Sequence, residues 1–229
     1  MGGCRYFVTF MDDYSRHITA VPVAKKSDVF EKFQIYRRRV ELVHERKVKE
    51  IQTDNGTEYI NKKFKQLSED TGMEHRTSVA YTPQQNGRSE RINQTLLNLV
   101  RCLLLKSGLP PKFWAEALKT ACHVKHMCPS SAIGGAIPYE LWTGRTITEE
   151  ECKKLRVFGC RAWYANLSKP KLGERGKPAI FLGYEEYTKA YRLWDPECSK
   201  IIISRDVVLS QCSRTTRKRM PRTKMCLIF

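Results

Sequence analysis

The chain has 229 residues, with 41 Lys and Arg against 24 Asp and Glu, for a net charge of +17. That length holds one large domain or two small ones, with a core that needs no disulfide or structural metal. A charge excess of this size argues against an ordinary balanced surface and favours a polyanionic partner, nucleic acid ahead of an anionic membrane surface.

The apolar run Tyr6 to Met11, bounded by Gly2-Gly3 and Asp12-Asp13, predicts a strand. His17 to Ala24 reads as its hairpin partner, with Pro22 pointing to an edge or a bulge. Asp12 and Asp13 suit the turn between them. Ser27 is the expected N-cap of a helix running to about Arg46. Its Val29, Phe30, Phe33, Tyr36, Val40 and Val43 keep helical spacing, and Arg37, Arg38 and Arg39 lie on the outer faces.

Val48 to Thr53 predicts a short strand that Asp54 closes, with a turn at Asn55-Gly56. A second helix follows, Phe64 and Leu67 inward and Lys62, Lys63 and Lys65 outward, ended by Gly72. Glu58 reads as an acid that opens this helix, where it suits the dipole, with a place beside Asp54 as the alternative. Glu74 to Ala80 is another strand, and Tyr81 to Arg88 a polar loop in which Asn86-Gly87 is either a hinge or plain flexible chain. Ser89 opens a long helix carrying Leu96, Leu97, Leu99, Val100, Leu103 and Leu104, broken at Gly108-Leu-Pro-Pro. A further helix from about Pro111 carries Phe113, Trp114, Ala117, Leu118 and Ala121.

Strands followed by alternating strands and helices indicate an α/β domain with a mixed sheet and flanking helices, residues 1–145. Past a charged stretch, short β-like runs at 156–164, 179–184, 190–194 and 200–204 read as a small, separate all-β barrel, residues 155–210. Its Trp163, Tyr164 and Trp194 are expected in that barrel's core, with stacking on nucleic-acid bases as the alternative. Residues 211–229 are basic and expected to be disordered, with Arg214, Arg217, Lys218, Arg219, Arg222 and Lys224 and no acid between 213 and 224.

The nine cysteines are odd in number and contain no C-x-x-C. With no signal peptide and no bilayer-length apolar run, they read as reduced thiols of an intracellular protein, in the nucleus or cytoplasm and not secreted. Cys122, His123, His126 and Cys128 lack the spacing of a zinc finger. The terminal Cys226-Leu-Ile-Phe fits a prenylation signal behind a polybasic stretch, which offers a membrane-anchored alternative.

The most telling pair is Asp54 and Glu90, in the settings Thr-Asp54-Asn-Gly-Thr-Glu and Asn-Gly-Arg-Ser-Glu90-Arg. Cutting or joining a phosphodiester by in-line attack can use two Mg²⁺ ions about 3.5–4 Å apart, held by hard carboxylate oxygens. A strand-end Asp and a Glu on an early helical turn suit such a site. Lys62, Lys63, Lys65, Gln84, Gln85, Arg88 and Arg91 are the candidate DNA contacts, with Arg101 extending the basic set.

These settings carry a resemblance. Arg5 to Arg16, Thr53 to Glu58, Thr82 to Arg91 and Phe113 to Ala117 resemble the integrase core of copia-type LTR retrotransposons, in the RNase H-like superfamily. Leu155 to Leu209 is similar to the SH3-like barrel that follows that core. The resemblance implies three acids, Asp–Asp–Glu, holding two Mg²⁺ or Mn²⁺ ions, with DNA as partner and homo-oligomers in prospect. Asp54 and Glu90 match the second and third acids. The family's first acid lies on a strand before Arg5, where this chain has Met1, Gly2 and Gly3. The expectation is therefore a DNA-binding derivative with impaired strand transfer; an active Mg²⁺-dependent integrase or nuclease is the alternative.

Overall fold

The computed structural model describes residues 3–77, 83–165, 175–185 and 188–210, and of residues 83–86 the backbone alone. β1 (Tyr6–Met11) and β2 (Ile18–Val23) form an antiparallel hairpin with Tyr6 opposite Val23 and Met11 opposite Ile18. Asp12 builds the turn, its Oδ2 accepting the Ser15 amide and hydroxyl at 2.7 Å each. Among the described residues β2 pairs on one side only, the edge placement that Pro22 requires.

A short 3-10 turn over Lys26–Asp28 precedes α1 (Val29–His44). Ser27 is therefore not the N-cap of α1; the Asp28 carboxylate accepts the Lys25 amide at 3.0 Å and closes the turn instead. Val29 and Phe33 are buried, but the apolar stripe stops short of its expected end, with Val43 64% exposed. Arg37 is not fully outward either, since its side chain is largely covered beside Glu41.

β3 (Glu50–Thr53) and β4 (Glu74–Thr77) run parallel, joined by the crossover helix α2 (Lys62–Thr71) that parallel pairing needs. Asn61 caps α2 by accepting the Lys63 and Phe64 amides at 3.0 and 3.1 Å, and Gly72 ends it at a φ of 67°. Phe64 and Leu67 turn inward and join Phe33 and Met73 in one apolar cluster. Phe10 of β1 and Ile51 of β3 both pack on that cluster, although no hydrogen-bonded ladder joins the two strand pairs among the described residues. The two pairs differ in sense, β1–β2 antiparallel and β3–β4 parallel, within a mixed α/β unit.

α3 spans Pro83–Ser107. The expected loop through Arg88 is corrected here, because the backbone is already helical at Pro83, six residues before Ser89. Proline suits a first helical position, where its fixed φ helps and no N–H is missed. Residues 78–82, the remainder of the expected strand and loop, lie outside the described residues. α4 (Trp114–His126) packs along α3 through Leu96, Val100, Phe113, Ala117, Leu118 and Ala121. Two short helices follow, α5 (Pro138–Thr143) and α6 (Glu149–Lys153), the second opened by a Thr148–Glu151 capping box.

The C-terminal part is a five-stranded antiparallel sheet in the order β8-β7-β6-β5-β9: β5 (Arg161–Ala165), β6 (Gly176–Tyr184), β7 (Tyr191–Asp195), β8 (Lys200–Ser204) and β9 (Val207–Leu209). One face holds its own core of Ala162, Ala179, Phe181 and Leu193. The other meets α4. A bulge between Phe181 and Gly183 lets adjacent residues face opposite ways, Phe181 into the sheet's core and Leu182 into the α3–α4 core. Thr120 seals the junction by donating to the Leu182 carbonyl at 2.8 Å. The β unit is thus not packed as a separate body: Leu182, Trp194 and Phe158 share one apolar cluster with the helices. The sequence reading missed this because α4's outward apolar residues and the bulged strand each look like the core of their own unit.

Candidate metal site and nucleic-acid interface

Asp54 follows β3 directly, at the rim of the parallel pair, and is exposed. Its Oδ1 accepts the Gly56 amide at 3.1 Å, which folds the chain back at once. That return brings Glu58 alongside, so that a Cβ on Gly56 would stand 2.9 Å from both Asp54 Oδ1 and Glu58 Oε2. Glu58 does not open α2, which starts four residues later at Lys62. It lies instead in a tight turn over residues 56–60, where the Tyr59 and Ile60 amides donate to the Gly56 carbonyl.

Lys26 reaches Glu58 at 3.1 Å. The Glu58 carboxyl is held below the usual carboxylate range, first by a backbone amide hydrogen bond and then by Lys26, against a burial that raises it. Tyr59 is pushed up to about 12, mainly by burial and further by the charges of Asp54 and Glu58. The sequence offered Glu58 both as a neighbour of Asp54 and as the opener of α2; the structure favours the first, with Gly56 midway between the two side chains.

Glu90 sits on the second turn of α3 and is exposed. The N-terminal half of α3 is tied to the β1–β2 hairpin, with Thr9 Oγ1 to Asn93 Oδ1 at 2.9 Å and Arg88 Nη1 to Asp13 Oδ1 at 2.9 Å. Asp13 also pairs with Arg16, so Asp12 serves the turn and Asp13 two arginines. Among the described residues no group of three or more His, Cys, Asp or Glu side chains lies close enough to hold a metal ion.

The basic candidates fall on two elements. Lys62, Lys63 and Lys65 line the solvent side of α2, Lys63 over the Phe30 ring and Lys65 4.0 Å from Glu69. Arg88, Arg91 and Arg101 are exposed along α3, Arg88 engaged by Asp13. Gln84 and Gln85 fall within α3, and their side chains lie outside the described residues, as do Cys226 and the whole of 211–229. His123 stacks on Tyr184 at 4.0 Å and His126 on His17 at 3.9 Å, which gives both packing roles.

In the β unit, Trp194 is buried and Tyr164 donates to Asp195 Oδ2 at 2.7 Å, as core residues would. Trp163 departs from that expectation: it is 39% exposed. Alternation along β5 explains it, since Ala162 takes the inward position and turns its neighbour out.

Residues 1–83 match the integrase core domain family, and residues 160–223 match the retroviral polymerase SH3-like domain family. The chain is 41% identical over 214 residues to the retrovirus-related Pol polyprotein from transposon TNT 1-94 of Nicotiana tabacum, covering 92% of this chain and 16% of that protein. It is 29% identical over 205 residues to the Pol polyprotein from transposon RE1 of Arabidopsis thaliana, covering 89% of this chain and 14% of that protein. The chain thus spans a small part of the length of the curated relatives it matches. In fold it is similar to a chain of the simian T-cell lymphotropic virus intasome solved with the PP2A regulatory subunit B56 gamma. That likeness has a TM-score of 0.50 and 18% identity, over 91% of this chain and 78% of the other.

Proposed function

We propose that this chain, which matches an integrase core domain and a retroviral SH3-like domain and is similar to the Pol polyproteins of copia-type retrotransposons, binds DNA through its basic surface with strand transfer impaired. The reading rests on Asp54 and Glu90, whose sequence settings resemble those of two of the family's three acids, and on the exposed basic residues of α2 and α3. Two carboxylates hold Mg²⁺ or Mn²⁺ weakly or not at all. A bound metal supplies several kcal/mol of charge stabilisation, and each ~1.4 kcal/mol is tenfold in rate, so the loss runs to orders of magnitude.

The net charge of +17 supports DNA as the partner. Homo-oligomers fit the intasome likeness, and the nucleus or cytoplasm is the setting in which such a protein meets DNA. Membrane attachment enters only if Cys226 is prenylated. Domain limits of 1–145, 155–210 and 211–229 go with this reading.

Binding of a labelled DNA duplex across a salt series tests it. The logarithm of affinity falls linearly with the logarithm of salt when lysines and arginines displace counterions from phosphates. Lys62→Ala, Lys63→Ala and Arg91→Ala each reduce that slope by about 1. A flat salt response in the unaltered chain sinks the reading.

A further inference from the structure

The outward face of β5 carries an apolar strip that none of the described residues covers. Trp163 stands at its centre, opposite Pro178 of β6 and Val208 of β9 in the ladders. All three are exposed, Val208 at 71%. This is the same face of the sheet whose Ile180, Trp194 and Ile201 pack towards α3 and α4. The helices cover the β6–β8 side and leave the β5–β9 side uncovered among the described residues.

The strip borders a cleft of about 260 Å³ lined by Arg161, Trp163, Pro178, Ile180 and Pro196, among others. That is slightly below the ~300 Å³ where ordinary small-molecule pockets begin, and suits a single flat ring laid on the indole. Arg161 is exposed, and none of its side-chain nitrogens has an acidic partner among the described residues.

We propose that Trp163 is a stacking platform for an unpaired nucleobase, with Arg161 holding the adjoining phosphate. A flat indole wedged between proline and valine is pre-ordered, so stacking a base on it costs little entropy. A base offers a π face whatever its identity, and base–aromatic stacking is sequence-tolerant for that reason. The Arg161 guanidinium, without an acidic partner among the described residues, and the net charge of +17 favour a polyanion over an apolar peptide or a second copy of this strongly basic chain. The proposal rests on the DNA-binding reading and adds to it a preference for single strands or frayed ends at this one site.

The test uses the full chain and three probes: a short oligothymidylate, an abasic strand of equal length and a blunt duplex. Trp163→Ala weakens oligothymidylate binding about tenfold, within the range measured for loss of one stacked base, while abasic-strand and duplex binding stay within about twofold. Trp163→Phe, which keeps an aromatic face, restores most of the affinity for oligothymidylate. Equal oligothymidylate binding by the unaltered chain and Trp163→Ala overturns the proposal while leaving DNA binding intact. A loss that Trp163→Ala shows equally for all three probes overturns it too, since that marks a damaged fold. Failure of the unaltered chain to bind any of the three sinks the DNA-binding reading itself. A proline-rich peptide or self-association that depends on Trp163, with no such dependence for oligothymidylate, assigns the strip to a protein partner and contradicts the proposal.

Discussion

The Arg192 guanidinium grips Glu116 with two hydrogen bonds, Nε to Oε2 at 2.7 Å and Nη2 to Oε1 at 3.0 Å. Its remaining arm, Nη1, donates to Glu185 Oε2 at 2.7 Å. All three side chains are largely covered. The pair ties the C-terminal sheet to α4 at the junction where the two parts of the chain share a core. Arg192→Met leaves the Glu116 carboxylate buried without its cation, a change that costs about 3–5 kcal/mol. Urea unfolding at neutral pH measures it. Replacing Glu116 by Leu in the same chain restores part of the loss, whereas an exposed ion pair would show a change of less than ~1 kcal/mol from the start.

A second lock lies one bulge away. Gly183 has a φ of 145°, and a Cβ there would stand 2.3 Å from Thr120 Oγ1. Gly183→Ala meets both a strained backbone and a buried clash, and lowers stability by about 3 kcal/mol. Adding Thr120→Ala relieves the clash, so the double replacement costs less than the sum of the two singles. Strict additivity in the unfolding free energies contradicts this account of the junction.

The stack of His17 between His126 and Trp142, with His44 edge-on to the same indole, makes stability depend on pH. Burial pulls the His126 imidazole down to about 4, and the charges of His123 and Lys125 act the same way. The Ile18 amide donates to His126 Nε2 at 3.1 Å, which that nitrogen accepts only while unprotonated. His17 is pulled down to about 2 by burial and by its neighbours His126, His44 and Arg39. Both folded values lie below the ordinary 6.5, so the unfolded chain binds more protons and stability falls as pH drops below 6.5. His126 alone, at about 4, accounts for ~3 kcal/mol lost by pH 4 at ~1.4 kcal/mol per pH unit. Thermal unfolding between pH 7 and 4 reads the slope, and His126→Gln flattens it. An unchanged slope in His126→Gln removes the histidine stack as its cause.

Most elements of the fold were legible in the sequence because their signals are local. Phe64 and Leu67 inward and Gly72 behind Thr71 mark α2 without reference to the rest of the chain, although its start, capped by Asn61, was read too early at Glu58. The start of α3 was not legible, since a stretch rich in Gln, Asn and Gly reads as loop, while the helix begins at a proline that Ser89 overshadows. The junction of sheet and helices escaped as well. A bulge that sends Phe181 and Leu182 to opposite cores breaks the two-residue alternation on which strand reading depends. At the site, motif spacing singled out Asp54 and Glu90 and left Glu58 between two roles, which the backbone return at Gly56 decides by bringing it beside Asp54. Trp163 was misplaced because aromatic residues in a small β unit are usually its core, and its outward phase is set by Ala162 taking the inward place.

The central claim, DNA binding without effective catalysis at Asp54 and Glu90, is tested most directly by Mn²⁺-dependent cleavage and joining of a labelled DNA. The unaltered chain and Glu90→Gln are compared at equal DNA occupancy. The account predicts that both bind the DNA and that neither releases product above the level without protein. Cleavage by the unaltered chain that Glu90→Gln and Asp54→Asn each abolish contradicts it, and establishes a working metal-dependent site.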